Sequence, residues 1–384
     1  MSTGEHNWRG VAGAVYAGVA ALLVVNVLPA LVSIVAQGLG WDDRALGLLA
    51  AADVAGIALG SLLGIPLVQR RSLMVATFVG LVVLIAADLG CSLGGGQIQV
   101  VGFRFLGGIA SGVILAACYT MYSFGHPQRN FALFSLGQMA SGFIGVTALP
   151  FMVDRWGWAS SFVFLAIATA LAVPMTVWLP RQSAQRTDTI PASNAANSHE
   201  LFIWLAVAGI VVYVIGEGAV WTFMARMGLA AGITEHEVNV AISGCEIAGV
   251  LGALATMFPS RRLGTFLPLT VCALVSAASV YAMRTSNAHI FFLALAAFTF
   301  TWLAFATIQF AVIASADTRG VATIAMSTAW YAGFTVGPYL AGSLADRYGF
   351  VPVQLFGAGG VLLALLTLVP LRNRASGAVA LEPA

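Results

Sequence analysis

The sequence predicts an all-α integral membrane protein whose twelve transmembrane helices form two pseudo-symmetric six-helix bundles. Three observations predict it. Hydrophobic residues make up 60% of the 384 positions and charged residues 8%, with a mean hydropathy of +0.93. So little charge cannot cover the surface of a water-soluble fold of this length, so lipid is the solvent for most of it. The apolar residues fall into runs long enough to cross a bilayer core, which takes about 20 residues as a helix. Finally, the chain repeats itself. Asp154-Arg155-Trp156-Gly157-Trp158 returns as Asp346-Arg347-Tyr348-Gly349-Phe350, an offset of 192 residues (154 to 346). Asp53-Val54-Ala55-Gly56 returns as Glu246-Ile247-Ala248-Gly249, and Pro66 as Pro259, both at an offset of 193 (53 to 246, 66 to 259). Arg70-Arg71 and Arg261-Arg262 follow those prolines. Two copies of one unit in the same direction are the mark of parallel-repeat membrane folds.

In chain order the first half offers apolar runs near 11–36, 45–65, 72–93, 97–122, 130–152 and 159–179. The second offers 201–224, 237–258, 265–283, 289–314, 320–343 and 351–371. Hydrocarbon cannot hydrogen-bond to backbone groups, so runs of this length are expected to be helices. Residues 181–200, rich in Ser, Thr, Asn, Gln and Ala, read as a flexible polar tether. The expected organisation is an N-terminal bundle over 1–180, a linker over 181–200 and a C-terminal bundle over 201–384. No cleaved signal peptide is expected at the first run.

Orientation follows from arginine, because the chain contains no lysine. With both termini cytoplasmic, the inner side holds eleven arginines: 9, 70, 71, 129, 181, 186, 261, 262, 319, 372 and 374. The outer side holds five: 44, 155, 226, 284 and 347. That asymmetry favours cytoplasmic termini in a multi-pass protein of the cell (inner) membrane. A net charge of +2 spread this thinly argues against nucleic acid as a partner. Cys91, Cys118, Cys245 and Cys272 lie in apolar runs at spacings that fit no metal site, and read as small buried hydrophobes. No metal or cofactor is expected. His126, His199, His236 and His289 fall in loops or at run ends and read as solvated.

Each ionisable group inside a run costs roughly 2.5–3.5 kcal/mol to insert and so needs a reason. Asp53 in run 2 and Glu246 in run 8 occupy matching places. A carboxylate shielded from water can take up and release a proton near neutral pH, the minimum equipment for proton coupling. Glu217 belongs to a stripe on run 7, Tyr213, Glu217, Trp221 and Met224, suited to a partly apolar solute. Arg104 keeps its proton and needs an anionic partner: Asp53, Asp88 or an anionic solute. Its helix face continues through Gly108, Ser111, Leu115 and Tyr119, a face fit for a polar cavity. Asp88, nearer the outer end of run 3, reads as local structure. Uncharged polar and aromatic groups complete the set of binding candidates: Asn26 in run 1, Gln138 in run 5, Trp302 and Gln309 in run 10, and Trp330 and Tyr331 in run 11. Gly56, Gly60 and Gly64 recur every four residues, baring one face of run 2 for a close helix neighbour. The repeated Asp-Arg-aromatic-Gly-aromatic element reads as structural, with interfacial aromatics and a glycine turn.

These features together resemble the major facilitator superfamily. Arg104-Phe105-Leu106-Gly107-Gly108 is similar to its Arg-x-x-x-Gly motif in the fourth span. Gly333-x-x-x-Gly337-Pro338-x-x-Ala341-Gly342 in run 11 is similar to its Gly-x-x-x-Gly-Pro-x-x-Gly-Gly motif, whose usual home is span 5. Run 5 here reads Gly137-x-x-x-Ser141-Gly142-x-x-Gly145, without the proline. The loop after run 2, Gly64-Ile65-Pro66-Leu67-Val68-Gln69-Arg70-Arg71, lacks the aspartate of the family's Gly-x-x-x-Asp-Arg-x-Gly-Arg-Arg pattern. The resemblance implies a packing or gating role for Gly337 and Pro338. It also implies a secondary transporter working by alternating access and names no solute; the few charges, the many aromatics and Arg104 point to a small organic solute, an organic anion or aromatic compound, coupled to protons through Asp53, Glu217 or Glu246. A passive facilitator or efflux antiporter of the same fold, and a non-transporting solute sensor, stand as alternatives. An enzyme is not expected, since no nucleophile–base pair, metal spacing or phosphate loop is present. The expected partners are the small-molecule solute, protons and the lipid bilayer, with the chain acting as a monomer.

Overall fold

The computed structural model describes residues 8–70, 72–94, 96–122, 127–180, 200–256, 264–317 and 321–371. The tether over 181–199, Arg71, Pro259, Arg261, Arg262, Arg319, the two C-terminal arginines, His126 and His199 lie outside the described residues. The chain divides into two compact units, Met1–Thr187 and Asp188–Ala384.

The first unit contains α1 (Trp8–Asn26), α2 (Leu28–Leu39), α3 (Asp43–Arg70), α4 (Leu73–Ser92), α5 (Gln97–Tyr122), α6 (Pro127–Trp156) and α7 (Ala159–Ala170), which continues as a 3-10 segment over Val173–Trp178. The second contains α8 (Glu200–Ala230), α9 (Glu235–Ala255), α10 (Phe266–Ala282), α11 (Ala288–Ala316), α12 (Val321–Tyr348) and α13 (Phe350–Leu368). Among the described residues, ten helical stretches are long and apolar enough to cross a membrane. With α10, at 17 residues, and α12, at 28, they fill all twelve expected runs. All secondary structure among the described residues is helical.

Two runs depart from a single helix, and proline explains both. Pro29 has no N–H for the carbonyl four residues back and its ring crowds that carbonyl, so the first run breaks at Val27 into α1 and α2. Val27 N–H still donates to Leu23 at 3.0 Å, and its carbonyl accepts from Leu31 at 2.9 Å, which keeps the two pieces nearly continuous. The sixth run tightens into 3-10 geometry where Pro174 enters its last turn.

The repeated pentapeptide is a turn. Gly157 ends α6 at φ +79° and Gly349 ends α12 at φ +73°. Each donates its N–H four residues back, to Val153 at 2.8 Å and Ala345 at 2.9 Å. No atom lies within 4 Å of a Cβ built on either glycine. The left-handed backbone, and not crowding, therefore requires glycine there. The preceding aromatics, Trp156 and Tyr348, are 68% and 69% exposed.

In the first unit α3 and α5 meet backbone to backbone. A Cβ on Gly56 would overlap the Phe105 carbonyl, one on Gly60 the Ile109 carbonyl, and one on Gly64 the Ala116 methyl. From the other side, Gly108 faces the Asp53 carbonyl and Gly112 the Ile57 carbonyl. In the second unit Gly252 of α9 faces the Phe300 carbonyl of α11 in the same way, and α12 approaches α8 as closely. A Cβ on Gly333 would lie 2.7 Å from the Val211 carbonyl oxygen, and one on Gly337 would overlap that of Ile215. Pro338 is buried one residue further along α12.

Candidate functional site

The close α3–α5 approach sets the charged cluster of the first unit. Arg104 on α5 is 1% exposed, and its two terminal nitrogens are both taken. Nη2 donates to Asp53 Oδ1 of α3 at 2.5 Å, and Nη1 donates to Asp88 Oδ1 of α4. Asp53 and Asp88 are each 2% exposed. A guanidinium fork between two carboxylates is a geometry a buried arginine satisfies well. The expected anion-binding role for Arg104 therefore meets an arginine already committed to the protein's own acids. The face through Gly108, Ser111 and Leu115, expected to line a polar cavity, is instead closed: all three are buried, and Gly108 sits against the α3 backbone. Glycines that allow the backbones to touch leave no room for a cavity.

Two other candidates of this unit find each other. Asn26, at the break after α1, donates through Nδ2 to the Gln138 side-chain oxygen of α6, to its backbone carbonyl at 3.2 Å and to Ser141 Oγ at 3.1 Å. Gln138 in turn donates to the Gly18 carbonyl at 3.2 Å. The pair ties the discontinuity in the first run to α6. Tyr119 joins a ring cluster with Tyr122, Phe131 and Phe134 at centroid distances of 5.7–5.8 Å. Tyr122 donates to the Ala14 carbonyl at 2.7 Å.

The second unit assembles an aromatic cluster around Trp302 of α11. Trp221 of α8 lies 5.3 Å away, Trp330 of α12 stacks at 6.3 Å with 6° between planes, and Phe334 stacks at 6.4 Å. Tyr213 of α8 donates its hydroxyl to the Trp302 carbonyl at 2.8 Å and packs on Phe305 at 4.8 Å. Tyr213, Trp221, Trp302 and Trp330, four separate candidates in the sequence, thus come together. Tyr331 is half-buried beside Trp330 on α12. Gln309, two turns along α11 from Trp302, is fully buried. Neither its amide nitrogen and oxygen nor Trp302 Nε1 has a hydrogen-bond partner among the described residues.

The two carboxylates of this unit have no arginine. Glu217 is 1% exposed; its Oε1 accepts from Ser276 of α10 at 3.1 Å and its Oε2 has no partner. Glu246 on α9 is 6% exposed, with Oε1 unpartnered. No salt bridge involves either among the described residues. Ser276, Phe298, Phe305 and Phe334 were not singled out in the sequence. The α11 residues had a signal, since Phe298, Trp302, Phe305 and Gln309 share one face at helical spacing. Ser276 had none, because a serine in an apolar run says nothing of which neighbour it meets. No group of three or more metal-ligating side chains occurs among the described residues.

A family model described as Major Facilitator Superfamily matches residues 14–338. A gallate transporter of Pseudomonas putida is 24% identical over 157 residues, 39% of this chain and 34% of that protein, so the match spans about a third of that relative's length. Among solved structures, a crystal structure of the nucleoside transporter NupG superimposes with a TM-score of 0.78 at 12% identity, over 94% of this chain and 99% of that one, a likeness of fold.

Proposed function

The chain belongs to the major facilitator superfamily, and we propose that it is a proton-coupled secondary transporter of a small aromatic solute, working by alternating access. The family and the fold support a membrane transporter of small solutes. The finer reading rests on one observation: the second unit buries two carboxylates without a cation, on α8 and α9, in the same bundle as stacked indoles with unused hydrogen-bonding groups. Whether such a carboxyl carries charge depends on whether water reaches it, so cycles of exposure and occlusion carry protons with them. Aromatic faces suit a planar solute, and Trp302 Nε1–H and the Gln309 amide supply the few polar contacts that fix orientation in a mostly apolar site. Asp53, also read as a proton-coupling candidate, is held by Arg104, which shifts the weight to Glu217 and Glu246. The gallate transporter among the relatives makes aromatic carboxylates the first solutes to test.

The test is uptake into proteoliposomes under an imposed pH gradient. Glu246→Gln should abolish uphill accumulation while exchange of solute across the membrane partly survives. Uphill transport that persists in Glu246→Gln and in Glu217→Gln would remove the proton role. An initial rate unchanged when the gradient is collapsed would make the protein a passive facilitator.

A further inference from the structure

We infer that the first unit carries a binding groove for an anionic diacyl phospholipid, which shares no residue with the Arg104 cluster or with the aromatic cluster of the second unit. A cavity of about 640 Å³ runs between α1, α6 and α7. Its walls are apolar, with Val15, Val19 and Leu23 on α1, Leu133 and Ile144 on α6, and Phe164 on α7. Glycine backbones close α3 onto α5, whereas α1 and α6 meet through side chains, Gly137 against Val19 and Gly18 against Phe134, and the groove runs beside that contact toward α7. The volume lies within the roughly 300–1,000 Å³ of small-molecule sites, but such sites also present convergent polar groups. Here two hydroxyls lie beyond the mouth: Tyr16 on α1, and Ser141, about 18 Å along α6 from Arg129 at about 1.5 Å per residue, which is engaged by Asn26 and by the Gln138 carbonyl. A groove that is apolar in depth fits a hydrocarbon chain better than a polar solute.

The mouth selects the headgroup. Trp8 and Arg129 line the groove where α1 and α6 begin, and Arg9 lies over the Trp8 ring at 5.7 Å. Both arginines are exposed, and neither is in an ion pair with a described residue. Trp8 is 60% exposed, as an interfacial anchor should be. Two exposed cations and an indole at the mouth of an apolar slot complement a phosphodiester at the headgroup level with an acyl chain below it. From Trp8 to Leu23 the groove follows about 22 Å of helix, enough to span one leaflet of a core about 30 Å thick. Zwitterionic lipids offer the same chains without net charge, so the discrimination comes from Arg9 and Arg129.

Native mass spectrometry of the detergent-purified full chain, titrated with dioleoyl phosphatidylglycerol or dioleoyl phosphatidylcholine, tests this. One phosphatidylglycerol adduct is expected at a lipid concentration roughly tenfold or more below that needed for phosphatidylcholine. Arg9→Gln with Arg129→Gln should erase the preference. Ala140→Trp, at an exposed groove-lining position, should remove the adduct while the unfolding temperature holds. Equal adducts from the two lipids overturn the proposal. So does a preference that survives Ala140→Trp, which would mark headgroup contact without a groove, and so does a doubled chain mass in place of a lipid adduct. Solute uptake in the same variants reads the transport function independently.

Discussion

Asp53 and Glu246 stand at equivalent places in a duplicated chain and live in opposite electrostatic surroundings. In the first unit, Asp53 shares Arg104 with Asp88, so one buried guanidinium answers two carboxylates. In the second, Glu246 and Glu217 are buried with no cation, and each keeps an oxygen unpartnered. The halves share a backbone plan and differ in how they tolerate a charge in lipid. A carboxylate in that cluster gives up an ion pair with a buried arginine if it loses its charge. An unpaired one can change charge as water comes and goes. The glycines draw the same line. Gly56 faces the Phe105 carbonyl, whereas its counterpart Gly249 meets the end of the Leu303 side chain at 3.1 Å. Further along, Gly252 of α9 faces the Phe300 carbonyl of α11 as tightly as Gly60 faces that of Ile109, so the difference between the pairs is local to the turn beside each carboxylate.

The largest effect should come from breaking the Arg104 cluster. Arg104→Gln leaves two carboxylates buried without their cation, and thermal unfolding in detergent should report a loss of about 3–5 kcal/mol. Glu246→Gln and Glu217→Gln should leave the unfolding temperature unchanged or higher. Equal losses from all three would erase the contrast between the units. Next comes Gly56→Ala, whose new methyl has to push a backbone carbonyl aside at a cost of about 1–3 kcal/mol. Gly249→Ala, which displaces only a leucine tip, should cost under about 0.5 kcal/mol, the scale of substitutions that disturb no special feature. Chevron or thermal comparison of the pair sharpens the difference in rigidity.

Trp302→Phe keeps a ring in the stack and deletes the indole N–H. It should raise the transport KM by roughly tenfold, equivalent to about 1.4 kcal/mol for one hydrogen bond to solute, with little change in stability. An unchanged KM would mean that the aromatic cluster of the second unit is packing alone. A last effect is expected to be the same in both halves. Gly157→Ala and Gly349→Ala should each destabilise by about 1 kcal/mol, the cost of a left-handed backbone for a residue with a Cβ. Unequal costs there would show that the matched turns do not experience matched surroundings.

Apolar run length, the offset of the repeats, the glycine turn after each Asp-Arg-aromatic element and the four-residue glycine spacing of α3 are all properties of neighbours along one chain. Backbone satisfaction in lipid and the sterics of positive φ act on those neighbours directly. The sequence by itself therefore determined twelve helical runs, two copies of one unit and the places where helices can touch. It also marked every Asp, Glu and Arg that is buried among the described residues. It could not say that Arg104 holds both Asp53 and Asp88, that Ser276 answers Glu217, or that Trp302 stacks on Trp330 from another helix. Nor could it show that α1, α6 and α7 leave a groove among them while α3 and α5 close. Those outcomes depend on how each helix is rotated about its axis and which face it turns to a neighbour many residues away. A few degrees of rotation exchanges one partner for another without altering any local propensity, so only the tertiary structure decides them.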